Sequence, residues 1–262
     1  MRELTIWRKL RKTKLTVYDD IDQLPIERFN KANKYWMLHY NLGSSFTDID
    51  QTHISRLILV ADDKEKLLRE LENLRILIYN IINEVNPSQM AFVCLLHSIN
   101  GEEVNDLSEE GIKRTLKKLS DLGLTVGEFK KKMNELQEKI YDDLEMIFPD
   151  IFHNVLSTAF WVKVKERTIK ICDSIINGTN IDEDISAAER WFASLIRPKS
   201  FSGSSNEELR YDKDFEKNCI ILSSLTNKPV KEMMTKEYFS LIQHYNETLR
   251  HGRKSNPQRR NN

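Results

Sequence analysis

Glycine and proline are scarce in this chain, 8 and 6 residues out of 262. That scarcity argues against many turns and for long helices. Cysteine is scarcer still. Cys94, Cys172 and Cys219 are three, an odd number, widely spaced and each set among apolar neighbours. They form no disulfide framework and read as buried free thiols of a reducing compartment. No apolar run approaches the ~20 residues that a bilayer crossing needs, and residues 1–14 lack the apolar stretch of a secretory signal. Without a secretory route, the glycosylation patterns at Asn177-Gly178-Thr179 and Asn246-Glu247-Thr248 are chance matches.

Net charge is also missing, with 40 Lys and Arg against 40 Asp and Glu. The balance conceals an uneven distribution. Residues 1–14 carry Arg2, Arg8, Lys9, Arg11, Lys12 and Lys14 against Glu3, and residues 250–262 carry Arg250, Arg253, Lys254, Arg259 and Arg260 with no acid. The rest of the chain is acidic. Basic ends on an acidic body favour self-association, or contact with acidic surfaces or nucleic acid; two solvated tails are the plainer alternative.

What the sequence does have is 40% hydrophobic and 31% charged residues, the composition of a water-soluble globular chain. At this length it forms one large or two modest domains with a substantial core. The organising stretch is residues 62–86, DDKEKLLRELENLRILIYNIINEVN. Leu67, Leu71, Leu74, Ile78, Ile81 and Val85 recur at alternating steps of four and three, which predicts a seam along one side of a core helix. Leu68, Leu77 and Ile82 widen it. Asp62, with Glu65 three residues on, is expected to cap its start, and Pro87 closes it.

Around that helix the residues predict others. Residues 4–18 alternate locally and read as a short strand or an extended arm. Ile26, Phe29, Trp36, Met37 and Tyr40 line a helix stopped at Leu42-Gly43. An apolar helix over 90–99, capped by Ser88 and stopped by Asn100-Gly101, is buried on most sides. Ser108 caps a helix with Ile112, Leu116 and Leu119 inward. Thr125 and Glu128 form a capping box ahead of Val126, Phe129, Met133, Leu136 and Ile140. This second seam suits near-antiparallel packing against the first. Residues 150–178 place Trp161, Val164, Ile171 and Ile175 on one side, and 187–196 carry Trp191, Phe192 and Leu195. Two short helices follow, the second capped by Thr235. The expected class is mainly α, a multi-helix bundle with an extended or short-strand N-terminal arm and a small helical C-terminal piece. The expected division is a basic arm 1–21, a helical core 22–197, a Ser/Gly-containing linker 198–211, a C-terminal helical pair 212–250 and a basic tail 251–262.

Patterns that carry chemistry are few. There is no phosphate-cradling glycine loop, nucleophile elbow, Cys-x-x-Cys or His-Glu-x-x-His. His39, Asp48, Asp50 and His53 lie close in sequence, but their spacing fixes no metal geometry, and capping and surface roles are the expectation. His97 reads as a core histidine bonded to a backbone carbonyl, and Cys94, three residues earlier, as too buried for a nucleophile. Tyr35, Trp36, Phe160, Trp161, Trp191 and Phe192 read as helix-packing residues. Trp7 differs, lying among Arg8, Arg11 and Lys12, where it anchors the arm to a neighbouring subunit or stacks on a nucleic acid. No catalytic residue, metal or cofactor is expected. The candidate interface residues are Trp7, Arg8, Arg11, Lys12, Arg253, Lys254, Arg259 and Arg260.

Residues 17–35, VYDDIDQLPIERFNKANKY, resemble the opening of small structural or assembly proteins of tailed phages infecting Bacteroidetes, including crAss-like phages. Leu74-Arg75 and residues 79–82 (YNII) fit the same likeness, as do residues 215–219 (FEKNC) and 234–239 (MTKEYF). The likeness spans about half the chain and brings no catalytic residue. It implies a non-enzymatic virion component, a ring or connector or a capsid-associated protein, found in the host cytoplasm during assembly and then in the virion. Its implied partners are copies of itself and other virion proteins, with no membrane. The alternatives are a nucleic-acid-associated protein binding through its basic termini, or an assembly factor absent from the finished particle.

Overall fold

The computed structural model describes residues 1–8, 11–152 and 155–254, and for residues 5–8, 11–12, 126, 155–158 and 251–254 the backbone alone. The fold is mainly α, with one small antiparallel sheet. Strands β1 (Arg2–Arg8) and β2 (Arg11–Val17) are followed by α1 (Ile26–Leu42), a π-helical turn (Ile49–Ile54) and α2 (Ser55–Leu59). Then come α3 (Lys64–Ile82), α4 (Pro87–Leu95), β3 (Leu96–Ile99), β4 (Glu102–Glu103), α5 (Glu109–Asp121) and α6 (Val126–Ile147). The chain continues through α7 (Pro149–Phe152), α8 (Val155–Asn177), α9 (Asp182–Leu195), α10 (Glu207–Leu222) and α11 (Thr235–Lys254). Among the described residues, no helix is long and apolar enough to cross a membrane.

Two compact units are interleaved along the chain. Unit 1 is Met1–His39, Asn86–His153 and Glu208–Asn262; unit 2 is Tyr40–Val85 and Asn154–Glu207. This corrects the expected division, in which 22–197 is a single core. It also absorbs the expected arm, linker and C-terminal pair into the units. Sequence order alone could not show that 40–85 and 154–207 meet.

In unit 1 the N-terminal segment is a hairpin, with Leu4 opposite Leu15 and Arg2 opposite Val17. β2 also pairs with β3, Leu15 facing Ile99, and β3 with β4, giving the order β1-β2-β3-β4. The apolar helix expected over 90–99 therefore stops early, at Leu95, and 96–99 form a strand. A short apolar run fits a buried helix or a buried strand equally well, and here the free edge of β2 takes it. Asn100 (φ 52°) and Gly101 (φ 89°) make the β3–β4 turn, and two successive positive φ values match the hairpin twist. The α4 cap is Asn86, which accepts from Gln89 N at 3.2 Å, and not Ser88. Every α4 residue except Gln89 is buried.

Helices α5 and α6 both pack on α4. Ser108 caps α5, and the Thr125–Glu128 capping box opens α6, both as expected. Phe129, Met133, Leu136 and Ile140 are all buried, with Phe92 edge-on to Phe129 at 5.3 Å. Each such aromatic or aliphatic side chain contributes about 1.5–3 kcal/mol when fully buried. Thr235 is not a cap but the first residue of α11. Its N–H and Oγ1 both donate to Leu24 O, at 2.8 and 2.7 Å, tying α11 to the start of α1. Phe239 sits 5.7 Å from Phe29 and 4.8 Å from Phe152, so the C-terminal pair docks within unit 1. Asn33 links α1, α6 and α10, accepting from Tyr141 and donating to Tyr211 at 2.9 Å.

Unit 2 is thinner. Its buried apolar side chains among the described residues are Leu42, Val60, Leu77 and Ala188. Helices α8 and α9 pack together, and Phe160 meets Phe192 at 5.4 Å. Of the side of α8 expected to be inward, Val164 and Ile171 are half-buried while Trp161 and Ile175 are exposed. Tyr40, expected inward on α1, is exposed as well. Cys172 lies exposed on α8 while Cys94 and Cys219 are buried, correcting the expectation for one thiol of three.

Candidate functional site

Helix α3 is capped by Asp63, one residue after the expected Asp62, and Asp63 accepts from Lys66 N at 3.1 Å. The larger departure is its inward line, which is Glu70, Asn73 and Leu77. The expected seam of Leu67, Leu71, Leu74, Ile78, Ile81 and Val85 is nowhere fully buried, and Leu71 is 45% exposed. The two lines are one residue apart, about 100° of rotation about the axis. Spacing alone defines a stripe, and here Leu67, Leu74, Ile81 and Val85 are half-buried while Leu71 and Ile78 are exposed.

What lies under α3 instead is a polar node built on the end of α1. The last carbonyls of a helix have no partner within it, and Gly43 takes the left-handed conformation that ends α1 (φ 82°). His53 Nε2 donates to Leu42 O at 2.9 Å, and Arg56 donates to Asn41 O at 3.0 Å and Tyr40 O at 3.3 Å. A cation near these carbonyls also suits the helix dipole. His53 Nδ1 lies 2.6 Å from Glu70 Oε1, and both side chains are 0% exposed. Arg56 approaches the same oxygen at 3.9 Å. Asn73 donates to Lys199 O at 3.1 Å. Because a carbonyl only accepts, Nε2 of His53 carries the proton of that bond, while His53 Nδ1, both carboxylate oxygens of Glu70 and Asn73 Oδ1 are buried without a hydrogen bond of normal geometry. A histidine and a carboxylate in this relation resemble part of a catalytic set. General acid–base work requires reach to a substrate atom, and full burial denies it to this pair. The geometry fits a cap and a clamp.

The other sequence candidates separate. Asp48 accepts from Ser44 N and Ser45 N at 2.7 and 2.9 Å, Asp50 is exposed, and His53 belongs to the node. Among the described residues no group of three His, Cys, Asp or Glu is arranged to hold a metal ion. His97 Nδ1 lies 3.2 Å from the Tyr18 hydroxyl, a side-chain partner where a carbonyl was expected. Burial pushes the Cys94 thiol up to about 12, which keeps it protonated and unreactive.

Three residues that matter escaped sequence reasoning. Buried Arg28 donates to Cys94 O, Leu96 O and Val104 O, holding the point where α4 turns into β3. Glu70 and Asn73 are the others. Each is a polar residue in the interior of an amphipathic helix, and for Arg28 the signal was its place between Ile26 and Phe29 on the buried side.

Of the expected interface residues, Trp7, Arg8, Arg11 and Lys12 lie in the β1–β2 hairpin, with Trp7 opposite Lys12 and Arg8 opposite Arg11. Arg253 and Lys254 fall in the last turn of α11. The side chains of these six, and Arg259 and Arg260 entirely, lie outside the described residues.

What the described surface does offer is the outer face of α3. Leu68, Leu71, Ile78, Tyr79 and Ile82 are exposed there, Ile82 at 72%. Glu65, Arg69, Glu72 and Arg75 sit among them, paired along the helix as Arg69–Glu65 and Arg75–Glu72. Helix α3 thus buries a glutamate while leaving these five apolar side chains exposed. Comparison of the chain with protein-family models, with curated proteins and with solved structures finds no match.

Proposed function

We propose that the chain is a non-enzymatic structural protein of a phage virion, a ring, connector or capsid-associated component working through protein–protein contacts in a symmetric assembly. One observation carries the protein–protein part: helix α3 buries Glu70 and Asn73 beside Leu77 while leaving Leu68, Leu71, Ile78, Tyr79 and Ile82 exposed. Exposed stripes of this kind are the raw material of assembly interfaces. The phage part is supported by the resemblance of residues 17–35, 74–75, 79–82, 215–219 and 234–239 to phage structural and assembly proteins. Host cytoplasm during assembly, then the particle, is the location that goes with this reading.

The test has two arms. Analytical ultracentrifugation of the purified chain is expected to show concentration-dependent association, and mass spectrometry of purified particles is expected to find the chain. A chain that stays monomeric at several hundred micromolar and is missing from particles would sink the proposal. Found in assembly intermediates but not in finished particles, it would be an assembly factor.

A second reading has its own observation. The β1–β2 register brings Arg8 opposite Arg11 and Trp7 opposite Lys12, so one end of a two-stranded ribbon concentrates basic residues. Ribbons of this kind enter nucleic-acid grooves. The reading predicts DNA or RNA binding that weakens steeply with salt and is abolished when Arg8, Arg11 and Lys12 become Glu.

A further inference from the structure

The apolar positions on the outer face of α3 are arranged symmetrically about Arg75. Leu68 and Ile82 lie seven residues to either side of it and Leu71 and Tyr79 four, while Ile78, three residues after it, has the charged Glu72 as its counterpart. Arg75 is the middle of the stripe along the helix and, at about 100° per residue, around it as well. A pattern that reads the same in both directions from its centre is what a two-fold axis needs, because residue i then meets residue j while j meets i.

We infer that the outer face of α3 pairs antiparallel with the same face of a second copy, the axis passing at Arg75. This rests on the assembly reading above and names the surface through which it begins. In this pairing Leu68 packs against Ile82 of the second copy, and Leu71 against Tyr79. Arg75 comes within one helical turn of the other copy's Glu72. The ion pair that Arg75 and Glu72 form along one helix, at 3.7 Å, is thereby exchanged or shared across the axis. Arg75 meets Arg75 at the centre in either sense, but a parallel pairing in register also sets Glu72 beside Glu72, whereas the antiparallel one sets Glu72 beside Ile78 and within a turn of the other copy's Arg75. The 19 residues of α3 make a helix about 28 Å long, whose one-sided strip covers roughly 300 Å², below the ~800 Å² per partner of a standard stable interface. The contact is therefore weak alone, and suits a joint repeated within a larger assembly where many weak contacts act together.

The experiment uses the full chain with exposed Cys172 replaced by Ser. Sedimentation equilibrium up to several hundred micromolar is expected to show a monomer–dimer step. Leu71→Glu with Ile78→Glu is expected to weaken it about a hundredfold or more at unchanged circular dichroism, since neither side chain is fully buried. Arg75→Glu is expected to weaken it about tenfold, and adding Glu72→Arg to restore it. A short bismaleimide should link Arg75→Cys to itself in the dimer. Ile82→Cys should link only to Leu68→Cys on another molecule. Association that survives the Leu71/Ile78 double variant places the interface elsewhere and leaves the assembly reading standing. A chain that never associates removes both. Equal self-linking of Ile82→Cys and Arg75→Cys means parallel pairing and overturns the two-fold arrangement.

Discussion

Under the surface of unit 1, Leu, Ile, Phe, Val and Met side chains from the sheet and from helices α1, α4, α5 and α6 far outnumber the buried polar residues Thr13, Asp19, Arg28, Ser88, Ser98 and Thr235; in unit 2, His53, Glu70 and Asn73 stand against only a few buried apolar side chains. The outsides differ in the opposite sense. Fifteen of the twenty-two large apolar side chains left exposed by the described residues belong to unit 2, which holds 100 of the 262 residues. The same alternation of fours and threes occurs on α6 and on α3. In α6 it is buried in the unit's own core, and in α3 it is half-buried at Leu67, Leu74, Ile81 and Val85 and exposed at Leu71 and Ile78. Unit 1 is thus finished by its own residues, whereas unit 2 is held by polar contacts and keeps its apolar face outside. Buried polar groups are costly when they lack a hydrogen bond, as His53 Nδ1, Glu70 Oε1 and Oε2 and Asn73 Oδ1 do, so unit 2 is the less forgiving of the two.

Removing one half of the buried pair should break unit 2 while sparing unit 1. Glu70→Ala leaves His53 buried without its carboxylate, and a loss of about 3–5 kcal/mol is expected. Hydrogen exchange should show protection lost over 40–85 and kept over 86–147. Replacing both, His53→Leu with Glu70→Met, should recover much of the loss, because apolar pairs of similar volume often match a buried ion pair. If the single variant exchanges like the wild type, the node holds nothing. In unit 1, Phe92→Ala should also cost about 3–5 kcal/mol, through a cavity against Phe129 and not through charge.

The next contrast lies within one helix. Leu77→Ala should destabilise by about 2–5 kcal/mol, whereas Leu71→Ala should change the stability of the dilute chain by no more than about 0.5 kcal/mol. Denaturant titration of both variants checks this. Equal losses would put Leu71 in the core after all.

That pair also shows what the sequence could say. For α6, the spacing, the capping box and the buried residues agree, because one apolar stripe had one place to go. For α3, spacing identified the helix and its apolar side but held no information about what that side meets. Glu70 and Asn73 look like solvent-facing residues in sequence, and their partners come from residues 53, 56 and 199. Contacts so far apart along the chain leave no local pattern. The strand at 96–99 was hidden for a different reason: its apolar run is equally at home in a helix until the edge of β2 is available.

Alkali should act on unit 1 through its tyrosines. Burial raises Tyr141 and Tyr238 from 10.0 to about 12, and raises Tyr35 and Tyr211 further in the same direction. Their neutral forms are the folded ones, so their contribution is whole below pH 10 and is lost as the pH climbs through the folded values. Ultraviolet titration should show these four ionising late or together with unfolding. Early, non-cooperative ionisation of all tyrosines near pH 10 would mean that the Tyr141–Asn33–Tyr211 network is open to water.

The smallest expected effect compares the two helix starts. Thr125→Ala removes the hydroxyl that accepts from Glu128 N, and a cap of this kind contributes about 1 kcal/mol. Behind that cap stand Phe129, Met133, Leu136 and Ile140, all buried, so fraying should stop within the first turn of α6. Asp63→Ala removes the matching acceptor from α3, and the first inward residue there is Glu70, nearly two turns on. Exchange should therefore spread further along α3 than along α6 for the same lost bond. If fraying is confined to one turn in both, the outer leucines of α3 are already covered in solution, which dilution should then reverse.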